Sequence, residues 1–229
     1  PAGVAGPGGP VGPMGAAGPQ VPKGDSGPEG PAGPAGPAGG GGPNPFQVAL
    51  LRWYEASESN GDLAVGPSPV SVAFAGANIW VVNQVGNNVT KLRAVDGSTL
   101  GTYSVGRNPW GIAFDGTNIW VANWGDSSLS RLRARDGSAA GLFSVGGSPV
   151  GVAFDGTNIW VANSAENSVS KLRARDGSSL GKFNVGSKPF GLAFDGTNIW
   201  VANQGDGSVM KLQTSDGSVV GRYTGGSTP

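Results

Sequence analysis

The sequence predicts an all-β protein, with four forty-residue, four-stranded units following a Gly-X-Y triple helix. Three observations predict it. Glycine occupies every third position from Gly3 to Gly42, with one interruption at Val21. Pro69, Pro109, Pro149 and Pro189 then stand 40 residues apart, and Trp80, Trp120, Trp160 and Trp200 share that spacing. Within each unit, short apolar runs are separated by turn residues, and no stretch keeps a 3.6-residue apolar period long enough for a helix.

Of 43 Gly and 18 Pro in 229 residues, 16 Gly and 12 Pro fall in residues 1–45. Three polyproline II strands wind together only where the residue at the axis has no side chain. Pro7, Pro10, Pro28, Pro31, Pro34 and Pro37 fix φ beforehand. A disordered Pro/Gly linker is the alternative, but composition alone gives no reason for a glycine register to persist over this length. Residues 1–45 resemble bacterial collagen-like stalks, and the resemblance implies a homotrimer. At about 3 Å per residue the stalk extends on the order of 120 Å. Val21 keeps the frame on both sides, so it loosens the triple helix locally without shifting it.

Four copies of the second unit follow without a gap at 65–104, 105–144, 145–184 and 185–224. FDGTNIWVAN is unchanged at 114–123, 154–163 and 194–203, with a looser copy from Phe74 to Asn83. In the third copy the strand signals are Gly151 to Phe154, Asn158 to Ala162, Ser168 to Ala174 and Leu180 to Val185. Asp155-Gly156 and Asp176-Gly177 supply turns, because Gly tolerates positive φ and Asp can bond nearby backbone. Two nearly apolar inner strands describe a sheet covered on both faces, as in a propeller blade between neighbours. On Ile159-Trp160-Val161-Ala162-Asn163 the repeats resemble the YVTN and NHL-type β-propeller family. That resemblance implies propeller blades over about 65–229. It implies no activity, because propellers host unrelated functions.

Residues 46–64 admit two readings. Leu51-Arg52 followed by Gly61 to Gly66 matches Leu172-Arg173 followed by Gly181 to Gly186 with one insertion, which predicts two outer strands of a further half blade. The competing reading is a neck helix over Val48 to Tyr54. Residues 225–229 begin a further repeat or form a tail, since Pro229 stands 40 residues after Pro189. A window on a longer protein is the simplest account of both ends; a free-standing four-bladed ring is the alternative.

Fifteen basic residues balance 15 acidic ones, so no net field attracts nucleic acid or an anionic membrane. No long apolar run marks a membrane span. The absence of His and Cys removes the commonest catalytic base, the thiol nucleophile and the usual transition-metal ligands. Asp96, Asp136, Asp176 and Asp216 precede Gly-Ser, and Asp115, Asp155 and Asp195 precede Gly-Thr-Asn, so turn chemistry accounts for each. Asn83, Asn123, Asn163 and Asn203 end the second strands, where an amide satisfies loop backbone. Lys91, Arg93, Arg131, Arg133, Arg135, Lys171, Arg173, Arg175 and Lys211 recur on the third strand and its turn. They read as charges on an outer rim that protect a sheet edge or meet acidic glycans.

Some propellers of this kind are lyases on streptogramin antibiotics or lactonases, and those activities lean on His or metal-bound carboxylates. This chain has no His and no carboxylate outside turns and loops, so we expect no enzyme, catalytic residue, metal or cofactor. An enzyme head is the third-ranked reading. The DGTN and RDGS turns are nearly constant, whereas the loops on the opposite face differ in every copy. That face is the expected contact surface, with Arg107, Trp110, Trp124, Asp126, Glu166, Lys188 and Phe190 as candidate binding residues. The expectation is an extracellular or cell-surface structural and adhesive protein, self-associated as a trimer. The runner-up is a propeller module that binds a glycan or surface protein, made multivalent by the stalk.

Overall fold

In the computed structural model, which describes residues 63–225, sixteen strands form four antiparallel sheets. The chain divides into Pro1–Pro43 and Asn44–Pro229, and the described residues all belong to the second unit. The Gly-X-Y segment, the reading of residues 46–62 and that of the tail at 226–229 lie outside the described residues. Blade 1 comprises β1 (Pro69–Ala75), β2 (Asn78–Asn83), β3 (Asn88–Arg93) and β4 (Thr99–Ser104). Blade 2 comprises β5 (Pro109–Phe114), β6 (Asn118–Asn123), β7 (Ser128–Arg133) and β8 (Ala139–Ser144). Blade 3 comprises β9 (Pro149–Phe154), β10 (Asn158–Asn163), β11 (Ser168–Arg173) and β12 (Ser179–Asn184). Blade 4 comprises β13 (Pro189–Phe194), β14 (Asn198–Asn203), β15 (Ser208–Gln213) and β16 (Val219–Thr224). Each sheet is a simple meander in sequence order.

The turns hold by the chemistry their residues offer. Asp155 Oδ1 accepts from the backbone N–H of Thr157 and Asn158 at 2.9 and 2.6 Å, and Gly156 sits at φ +93°. Its other oxygen accepts from the Trp160 indole at 2.7 Å. Asp115 and Trp120, and Asp195 and Trp200, repeat that bond at 2.7 Å. One carboxylate thus closes the turn and fixes the rotamer of the tryptophan five residues on. Burial pushes the Asp155 carboxyl up, but the bonds from Trp160 and Asn158 outweigh it and leave the group below its ordinary value.

Packing between blades is the same at each step. Trp80, Val82 and Val89 of blade 1 share a core with Ile112, Ile119, Val121 and Leu132 of blade 2. Trp120, Ala122 and Leu129 meet Ile159, Val161 and Leu172 in the next step, and Trp160 and Val169 meet Ile199, Val201 and Leu212 in the third. Burying one such side chain is worth about 1.5–3 kcal/mol, so each core holds its pair of blades together. Among the described residues there are three such cores for four blades. Trp80, Trp120 and Trp160 are fully buried, whereas Trp200 is half-buried and Ala202 exposed, so among the described residues the four blades form an open arc.

The basic residues of the third strands differ from the sequence expectation. Lys91 and Lys171 are buried, and each lies opposite the tryptophan of the neighbouring strand. Lys91 Nζ donates to the carbonyls of Ala134 and Arg135 in blade 2, both at 2.8 Å. Arg131 reaches Ala174 and Arg175 of blade 3, and Lys171 reaches Thr214 and Ser215 of blade 4. These side chains are latches between blades and not rim charges. Each cation also lies 5.1 to 5.4 Å from the ring of its own tryptophan, an attraction that strengthens with desolvation. Arg93, Arg135 and Arg175 do reach solvent, where they pair with turn aspartates.

Candidate functional site

The loops before the first strand and between the second and third strand share one face of each blade. Trp124 N–H donates to Asn108 O at 3.0 Å and Gly125 N–H to Arg107 O at 2.9 Å, which zips the two loops together. Asn123 and Asn163 are buried beneath them and accept from the N–H of Gly106 and Gly146 at 3.1 and 3.0 Å. Ser68, Asn108, Ser148 and Lys188, just before the first strands, all have φ between 47° and 56°. Asn87, Ser127 and Asn167 on the neighbouring loop are left-handed as well. A non-glycine residue there costs on the order of 1 kcal/mol, and it is held in place by the hydrogen bonds around it.

These bonds account for the acidic candidates. Asp126 accepts from the Arg107 N–H at 2.6 Å, Glu166 from Gly147 N–H at 2.6 Å, and Asp206 from Ser187 N–H at 2.8 Å. They are one repeated device that fastens the first loop to the second. Glu166 also pairs with Lys182, and that ammonium together with Gly147 N–H holds its carboxyl below the usual range. Sequence reasoning did not single out Asp206, which occupies the same repeat position as Asp126 and Glu166 and pairs with Arg222 at 3.1 Å.

Trp110 and Phe190 have a different place. The sequence put Trp110 on an exposed loop, but Pro109 already opens strand β5, and Trp110 is half-buried on it. Val70, Trp110, Val150 and Phe190 fill one repeat position on β1, β5, β9 and β13, and together they line a cavity of about 330 Å³. Trp110 and Phe190 meet there edge to face, with centroids 5.8 Å apart. The remaining lining is Ser71, Ile112, Val152, Leu192 and the backbone of Gly111, Gly151 and Gly191. The inner strands lie very close: a Cβ on Gly151 would stand 2.3 Å from Phe190 O, and one on Gly111 1.9 Å from Val150 O.

The seven candidates therefore separate into two groups. Trp110 and Phe190 belong to the inner cavity. Arg107, Trp124, Asp126, Glu166 and Lys188 stay on the exposed loops, where Trp124 is 44% exposed and stacks on no other ring among the described residues. The cavity carries no titratable side chain, and Ser71 is the one hydroxyl among its lining. It can enclose an apolar or aromatic group; it holds no acid, base or activated nucleophile. Among the described residues, no three acidic side chains gather closely enough to hold a metal ion.

Neither a family model nor a curated protein matches the sequence. Solved structures do match the fold. Hydrazine synthase of Kuenenia stuttgartiensis superposes with a TM-score of 0.63 at 21% identity, over 72% of this chain and 51% of that one. A streptogramin B lyase gives 0.59 at 19%, over 69% and 54%. A protein of unknown function from Desulfotomaculum acetoxidans gives 0.62 at 15%, over 70% and 57%. The chain spans about half the length of these structures. At such identities the likeness shows the fold alone. The four meander sheets and these neighbours together show a β-propeller-like repeat fold.

Proposed function

We propose that the protein is a non-enzymatic, extracellular structural or adhesive protein, in which a trimeric collagen-like stalk presents propeller blades on a cell surface or filament. The observation that carries this reading is the glycine register of residues 1–42, kept in 13 of 14 slots. Such a register has a physical use in a triple helix and none in a single chain. The blades support it from the other side. Asp115, Asp155 and Asp195 bind turn backbone and tryptophan, and Asp126, Glu166 and Asp206 bind loop backbone, so their carboxylates are structural. Light scattering on the whole chain should give a mass that is a multiple of three chains, lost when residues 1–45 are removed. A single-chain mass with the stalk intact would overturn the reading.

A second reading is that the blades bind a glycan or surface protein. The cavity of Trp110 and Phe190 favours it, since an edge-to-face aromatic pair beside open backbone suits the flat apolar face of a sugar ring or a protein side chain. Glycan-array binding by the whole chain that disappears in Trp110→Ala and Phe190→Ala would support this reading. Binding unchanged in both variants would remove the cavity from it.

A further inference from the structure

In blades 2, 3 and 4 one carboxylate serves the donors of the first turn. Asp155 takes the backbone N–H of Thr157 and Asn158, the Asn158 amide at 3.1 Å and the Trp160 indole at 2.7 Å. Asp115 and Asp195 hold Trp120 and Trp200 in the same way. Blade 1 reads Phe74-Ala75-Gly76-Ala77-Asn78 where the others read Phe-Asp-Gly-Thr-Asn, so a methyl group stands where the others have a carboxylate. Its backbone still closes the turn, with Ala75 opposite Asn78. The side-chain donor is kept without its acceptor: the Trp80 indole N–H is fully buried and has no hydrogen-bond partner among the described residues.

The ring has not turned away to find another acceptor. Trp80 packs on Tyr103 at 5.4 Å and 35°, and Trp120 on Phe143 at 5.4 Å and 34°, so the two indoles are set alike. The Trp80 N–H therefore points toward residue 75, within the cluster that Ala75 and Trp80 share. A buried N–H left unpaired costs free energy, and a buried ammonium favours an anion beside it. Lys91 is buried over the Trp80 ring with two carbonyls as partners, and it joins no ion pair among the described residues. In blade 4 the corresponding Lys211 stands 3.5 Å from Asp195, the carboxylate that Trp200 also holds. Ala75 is buried, but Gly76 and Ala77 are exposed and a Cβ on Gly76 would meet nothing within 4 Å, so the turn is open to approach from solvent.

We propose that this turn of blade 1 binds a small free monocarboxylate, of the size of formate or acetate, where Asp115, Asp155 and Asp195 serve the other blades by covalent attachment. One oxygen accepts from the Trp80 indole and the other from the N–H of Ala77, the counterpart of Thr157, while Lys91 supplies the opposite charge. Two acceptor oxygens are called for, which a carboxylate has and a halide lacks. The free anion stands at van der Waals distance from the Ala75 methyl, about 3.5 Å between carbons, and so lies further out than a tethered carboxylate. Its three non-hydrogen atoms limit formate to about millimolar affinity. The site owes nothing to the stalk, because every group in it belongs to blade 1.

The indole proton itself reports the bond. In the whole chain with isotope-labelled tryptophan, seven indole N–H resonances are expected by NMR, and Trp80→Phe identifies the one that belongs to Trp80. Formate is titrated through the millimolar range at neutral pH and constant ionic strength, so that general screening does not change. The Trp80 proton should move downfield and saturate, acetate should move the same resonance, and Trp120 and Trp160, already bonded to aspartate, should stay in place. Ala75→Asp should bring the Trp80 resonance close to those of Trp120 and Trp160 without formate, and should abolish the response. A Trp80 resonance that formate leaves unmoved would overturn the site: at an unbonded position it shows that no carboxylate is taken up, and beside Trp120 that another acceptor already serves the indole. A shift that bromide reproduces in place of formate, or a response that survives Ala75→Asp, would overturn it as well.

Discussion

Replacing Lys171 by Ala removes one latch between blades 3 and 4 and leaves two turn carbonyls without their donor. The side chain is buried and donates to Thr214 O at 2.6 Å and Ser215 O at 3.2 Å, over the face of Trp160. Hydrogen bonds from a charged donor contribute about 1.5–3 kcal/mol, and a desolvated cation over an indole about 1–2 kcal/mol. Because the terms share one ammonium they do not add fully, and the expected loss is about 2–4 kcal/mol. Lys211→Ala is the matched control, with the same residue type over the same ring but no following blade within the arc. Its pair with Asp195, at 3.5 Å and open to solvent screening, should contribute far less. Urea unfolding followed by tryptophan fluorescence gives both values. Equal losses for the two variants would refute the idea that these cations hold successive blades together.

Gly151→Ala should destabilise by about 1–3 kcal/mol because its Cβ meets Phe190 O, while Gly191→Ala, facing only Ala202 Cβ at 3.8 Å, should be nearly neutral; thermal melts compare them. Trp160→Phe keeps most of the buried ring but leaves Asp155 without its indole donor, for an expected loss of about 1–2 kcal/mol in the same unfolding assay. Bonds from the Ser98 and Ser138 side chains and backbone lower Asp96 and Asp136 to about 2. Groups lowered on folding stabilise fully above their unfolded value near 3.9 and lose that contribution as pH falls through the folded one. The melting temperature should therefore hold steady from neutrality to about pH 4 and decline from about pH 4 to pH 2. A decline complete above pH 4 would show that other groups control acid unfolding.

The repeat length was legible because Pro69, Pro109, Pro149 and Pro189 recur at a fixed spacing, and the strand order and the turn role of the Asp-Gly pairs because they rest on residues a few positions apart. Asp155 and Thr157 meet within one turn, and the chain itself records their spacing. The tryptophan bond of Asp155 reaches only five residues, yet it needs the strand register to be visible. The latches were illegible for a different reason. Lys171 bonds backbone carbonyls 43 and 44 residues away, and a carbonyl leaves no mark in the sequence, so the side chain read as an exposed charge. Trp110 was misplaced by one structural step, because Pro109 starts a strand here instead of ending a loop. Asp126 and Glu166 looked like contact residues since their loops vary; the variation conceals a carboxylate shared by blades 2, 3 and 4, which binds backbone 19 positions earlier.

The central claim is that identical sequence has different surroundings according to its place in an open arc. The hexapeptide Asn-Ile-Trp-Val-Ala-Asn occurs as β6, β10 and β14, so intrinsic exchange chemistry is the same in all three. Hydrogen exchange in the whole chain, read on peptides extended into the differing residues Trp124, Ser164 and Gln204, compares them directly. The account predicts that β6 and β10 are protected alike and that β14, whose Trp200 and Ala202 no described blade covers, exchanges faster. Protection of β14 equal to that of β10 would contradict an open arc.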